Sequence, residues 1–73
     1  MKTTYRIYHQ DPQGRERTLA RMTVSAPSHK HAAMHIILIL ERRFTPEGKY
    51  LIMAGGQVIA RGVSTPDSVE WQC

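Results

Sequence analysis

From His29 to Arg43 the chain runs for fifteen residues without glycine or proline, bracketed by Pro27 and Pro46. No other feature limits the fold as strongly. Ser28 stands where an N-cap accepts a hydrogen bond from the amide of Lys30 or His31, and Ala32 and Ala33 are strong helix formers. Arg42 and Arg43 suit the negative end of a helix dipole. The spacing predicts a helix over residues 28–44, stopped by Thr45-Pro46-Glu47-Gly48. The apolar run Ile36–Leu40 would also fit a buried strand, but its place inside a long capped stretch favours helix. Projected at about 100° per residue, Ala32, Ala33, Ile36, Ile37, Leu40 and Phe44 fall in one arc of about 140°, the expected core face.

The remaining sequence alternates or breaks. Thr3–His9 and Thr18–Val24 read as strands joined through Asp11-Pro12-Gln13-Gly14, a turn sequence. They form a hairpin over residues 3–24, with Tyr5, Ile7, Ala20, Met22 and Val24 inward and Thr4, Arg6, Tyr8, Arg21 and Thr23 outward. Tyr50–Met53 and Val58–Val63 read as a second hairpin, residues 50–63, turning at Gly55-Gly56. An unbroken register there pairs Met53 with Val58 and Leu51 with Ala60 on the core side, leaving Tyr50, Ile52, Ile59 and Arg61 outside. Residues 64–73 form a tail whose Val69 and Trp71 are expected to cap an open end of the core. The fold class is therefore α+β: one domain of order ββαββ, a four-stranded antiparallel sheet with one helix on one face.

At 73 residues the chain has material for one core only, burying roughly 60% of its unfolded surface. The single cysteine, Cys73, excludes an internal disulfide. Met1-Lys2 leads straight into the first strand without an apolar leader segment, and the longest apolar run falls far short of the roughly 20 residues that span a bilayer. A cytoplasmic protein with no membrane contact is expected.

Little in the sequence suggests catalysis. His29, His31 and His35 are close in sequence and the last two share a helical face at a metal-binding spacing, but Ala32 stands where a metalloprotease helix carries its glutamate, and no nearby acid completes a third ligand. The six acidic residues are scattered. Gly55-Gly56 lacks the Lys-Ser/Thr of a phosphate loop. No catalytic residue, cofactor or metal is assigned.

Two contact surfaces are expected instead. The outer sheet face would gather Arg6, Tyr8, Arg21, Tyr50 and Arg61 around Ile52 and Ile59, a mixture suited to phosphate contact with base stacking or to a protein interface. The helix would show a second stripe of His31, Met34, His35, Leu38 and Arg42, where two large apolar side chains face water unless the tail covers them. The formal charge of +4 favours anionic partners. It belongs to the first part of the chain: residues 1–43 hold eight Lys/Arg against three Asp/Glu, and residues 44–73 two against three.

In its order of elements over residues 3–63, with the Val24-x-Ala26-x-Ser28 entrance to an alanine-started helix (Ala32), the chain resembles small phage or mobile-element accessory proteins, including anti-CRISPR inhibitors. That resemblance implies a non-enzymatic, stoichiometric blocker of a host protein or nucleoprotein complex and transfers no functional residue. Direct nucleic-acid binding through the Arg/Tyr face is the alternative expectation, and a homodimeric structural protein the third.

Overall fold

The computed structural model describes residues 2–43 and 46–73. Strands β1 (Lys2–Gln10) and β2 (Glu16–Ser25), helix α1 (His29–Glu41), and strands β3 (Gly48–Ala54), β4 (Gln57–Ser64) and β5 (Val69–Gln72) follow in chain order. They form one five-stranded sheet, β2-β1-β3-β4-β5, with every neighbouring pair antiparallel. The two hairpins thus meet at β1 and β3 in the middle, and the helix lies in the connection between them.

The tail departs from expectation: it forms β5, so the sheet has five strands rather than four. The turn before it closes through Thr65 N–H donating to Ser68 O at 2.8 Å, and Ser68 N–H donating to Thr65 Oγ1 at 3.2 Å. Trp71 pairs with Gly62. A Cβ at Gly62 would come within 2.6–2.8 Å of the Trp71 ring, so the glycine makes room for the indole. The ring also approaches Tyr50, centroid to centroid 5.8 Å. Trp71 Nε1 is buried without a hydrogen-bond partner among the described residues.

The helix forms as its sequence predicts. Ser28 takes an extended conformation and its side chain accepts from His31 N–H. The helical residues end at Glu41, with Arg42 as C-cap, so the two arginines follow the last turn instead of lying in it. Ala32, Ala33, Ile36, Ile37 and Leu40 are buried, while Phe44, expected beside them, lies outside the described residues, as does Thr45. The alanines let the helix backbone approach a sheet surface made by Tyr5, Ile7, Ile52 and Ala60, all buried. Tyr5 anchors the first turn, its hydroxyl 2.6 Å from His29 Nδ1 and the two rings edge-on at 87°.

Both chain reversals occur where the turn residues stand. Gly14 has φ +87°, and Asp11 Oδ1 accepts from the amides of Gln13 and Arg15 at 3.0 and 2.9 Å. Gly55 has φ +59° and begins the two-residue turn between Ala54 and Gln57.

The second hairpin corrects the expected register. Met53 does pair with Val58, but the ladder then shifts, so that Ile52 faces Ala60 and Leu51 faces Arg61. One extra residue on β4, Ile59, is accommodated as a bulge, and because side chains alternate with period 2, this exchanges the two faces of β3. Tyr50 and Ile52 are buried, and Ile59 packs half-buried against the core. None of the three belongs to the outer surface assigned to them from sequence.

Tyr50 instead closes the lower core. Its ring stacks on buried His9, centroids 4.7 Å apart, and its hydroxyl donates to Pro46 O. His9 Nε2 lies 2.8 Å from Glu47 O; since a carbonyl can only accept, that nitrogen carries the proton. Burial raises the Tyr50 pKa above 10.0, partly offset by the Arg17 guanidinium. An unfolded tyrosine loses its proton near pH ~10 and the folded one resists. The stabilisation is therefore complete below that pH and is lost as pH rises through the raised folded value. Thermal denaturation followed from pH ~8 to ~11 should show the melting temperature falling at the alkaline end. Tyr50→Phe should flatten that fall while costing about 1 kcal/mol at neutral pH for the lost hydrogen bond; an identical alkaline fall in the variant would contradict the assignment.

Candidate functional site: the uncovered face of the sheet

Only one face of the sheet carries the helix. On the other, antiparallel pairing aligns side chains in rows that cross the strands. One row runs Arg21, Arg6, Met53, Val58, and the next Thr18, Tyr8, Leu51, Arg61, Gln72. A third holds Glu16, Gln10, Lys49, Val63 and Glu70. Half-buried Tyr8, Leu51 and Met53 form the centre, ringed by exposed Arg6, Arg21, Lys49 and Arg61.

The charge distribution is one-sided. Arg6 and Arg21 are direct cross-strand partners, an arrangement that costs free energy through like-charge repulsion. Among the described residues in these rows, carboxylates appear only in the third, at Glu16 and Glu70. None of Arg6, Arg21, Lys49 or Arg61 forms an ion pair among the described residues. Arg6 has a side-chain partner in Tyr8, donating from Nη1 to Tyr8 Oη at 2.8 Å with its guanidinium 5.6 Å from the centre of that ring. Beside it, Thr4 and Thr23 hydroxyls are 2.9 Å apart.

Two shallow hollows flank Tyr8 and Met53. One, of 190 Å³, lies between the arginines and is lined by Thr4, Arg6, Tyr8, Arg21, Met53 and Gly55. The other, of 240 Å³, adjoins Leu51 and Lys49.

Of the residues singled out from sequence, Arg6, Tyr8, Arg21 and Arg61 come together here. Tyr50 does not, being in the core. Met34, Leu38 and Arg42 are exposed on the helix, the two apolar ones at 52% and 55%, with exposed His31 and His35 alongside. The C-terminal segment leaves that stripe uncovered because it pairs with β4 instead. These residues form a second surface on the opposite side of the molecule from the arginine face. Leu51, Met53 and Lys49 complete the open face and were missed, since all four residues Tyr50–Met53 are apolar and alternation cannot orient them. The remaining signal was Gly62: a glycine beside Arg61 marks a core position with room for a ring, which places Tyr50 and Trp71 on its side of the sheet.

Among the described residues, no helix is long and apolar enough to cross a membrane, and no three His, Cys, Asp or Glu side chains converge as metal ligands. His31 Nδ1 lies 2.9 Å from Ser28 Oγ, an interaction within the helix cap. No protein-family model, curated protein or solved structure matches this chain.

Proposed function

We propose that this is a non-catalytic binding protein that seats its open sheet face on an anionic surface of a host nucleoprotein complex and blocks it stoichiometrically, in the manner of small phage inhibitors such as anti-CRISPR proteins. The observation that carries the reading is the uncovered face itself. An apolar centre of Tyr8, Leu51 and Met53 is bordered by four cations without ion-pair partners among the described residues, a composition that buries well only against a partner supplying negative charge. Arginine and tyrosine are also the side chains most often found as energetic anchors of interfaces.

The test is capture of a nucleoprotein complex from host lysate on the immobilised chain, followed by titration with the purified complex. Saturation at a fixed molar ratio is expected, and Leu51→Asp combined with Arg61→Glu should abolish capture while circular dichroism stays unchanged. Full capture by that variant would remove the open face from the interface. Loss on Met34→Ala with Leu38→Ala instead would move the interface to the helix.

A further inference from the structure

We propose that the hollow between Arg6 and Arg21 is a phosphate subsite, and that the open face binds single-stranded nucleic acid with a backbone phosphate in that hollow and the adjoining base against Tyr8 and Leu51. The inference rests on the binding reading above and names the chemistry of its ligand.

Electrostatics favours an oxyanion here. Two arginines that are cross-strand partners in a β-ladder repel, and no ion pair among the described residues neutralises them. A phosphate between them would turn the repulsion into two charge-assisted contacts. Thr4 lines the same hollow, bringing a hydroxyl donor of the kind that commonly completes phosphate recognition. Arg6 is held ready by Tyr8, through the 2.8 Å hydrogen bond, so less ordering is needed when the anion arrives.

The neighbouring hollow explains why a nucleotide fits better than a bare anion. Tyr8 and Met53 line both depressions, so a group bound between the arginines lies beside a surface made by Tyr8 and Leu51, which Gln10, Lys49 and the Glu16 carboxylate also line. Phosphate and base alternate along a single strand, and aromatic side chains on an open sheet are a general way to receive unstacked bases. A duplex keeps its bases stacked inside and could use only the cations. An acidic peptide could satisfy the arginines but offers no flat ring for Tyr8.

Fluorescence anisotropy with a labelled mixed-sequence 12-nucleotide single strand, the same sequence as duplex, and a labelled oligoglutamate peptide would decide. The single strand should bind tightest. Arg6→Ala with Arg21→Ala should weaken it at least about tenfold and lower the slope of log affinity against log salt by about 0.7, for the one phosphate the two arginines share. Arg15→Ala with Lys30→Ala removes the same charge elsewhere and should change affinity by no more than about twofold. Tyr8→Ala should weaken binding roughly tenfold, through the lost stacking and the lost positioning of Arg6, with the salt slope preserved because the Arg6 charge remains and stacking releases no counterions. Circular dichroism melting of each variant identifies any that fail to fold; for these, Arg6→Lys with Arg21→Lys keeps the charge and should retain part of the affinity.

Equal binding by wild type and the Arg6/Arg21 variant, or a preference for duplex or oligoglutamate, would overturn the phosphate subsite. The two readings also separate. Capture of a nuclease-treated complex without affinity for free strands overturns this inference and leaves the proposed function standing. Strand binding with no capture does the reverse.

Discussion

Gly48→Ala should cost at least about 3 kcal/mol, more than half the roughly 5 kcal/mol that holds a domain of this size together. Two independent penalties meet at this residue. Its φ of +133° lies in a region that side-chain-bearing residues rarely adopt. An added Cβ would also fall 2.1 Å from Gln10 O and 2.8 Å from His9 Nε2. Neither neighbour can retreat cheaply. Gln10 pairs with Lys49 in the central β1–β3 ladder, and His9 is buried, stacked on Tyr50 and bonded to Glu47 O. Relief therefore requires opening the seam that joins the two hairpins. Urea denaturation measures the cost; a variant within about 0.5 kcal/mol of wild type would contradict the close approach.

The second large effect separates two neighbours that look alike in sequence. Ile52→Ala should cost about 2–5 kcal/mol, since Ile52 is fully buried beneath the helix and truncation leaves a cavity in a close-packed core. Leu51→Ala removes a half-buried side chain from the open face and should cost no more than about 1 kcal/mol. Chemical denaturation of the pair reads the register directly. The reverse order of costs, or equal costs, would restore the unbulged hairpin and return Tyr50 and Ile52 to the outer surface.

Such a pair marks where reading the chain residue by residue stops being sufficient. For β1, the alternation of Tyr5 and Ile7 with Thr4, Arg6 and Tyr8 predicts the inward and outward sets correctly, because each polar residue contrasts with an apolar neighbour. The helix face was equally plain: its period and cap agree, and its five predicted core residues within the described chain are buried. Tyr50-Leu51-Ile52-Met53 offers no such contrast. Either pair can face inward, and a single bulged residue, Ile59, decides between them. The candidate site inherited the difference: its three arginine and tyrosine members on β1 and β2, Arg6, Tyr8 and Arg21, were legible, along with Arg61, while Leu51 and Met53 of its centre were not.

The tail shows the same limit in another form. Val69 and Trp71 are too few to announce a strand, and four residues form one here because the outer edge of β4 is open and Gly62 leaves space for an indole. A short edge strand is stabilised by its neighbour more than by its own composition.

Local chemistry written into the chain determined the helix and its cap, the two tight turns, the facing of the first hairpin and the concentration of positive charge in the early strands. Each depends on residues within a few positions of one another. The order of the strands, the fifth strand, the exchange of faces in β3 and the meeting of Arg6 and Arg21 with Leu51 and Met53 were decided only in the folded molecule. They depend on which edges and voids the distant parts of the chain present to one another, and those exist only once the core has closed.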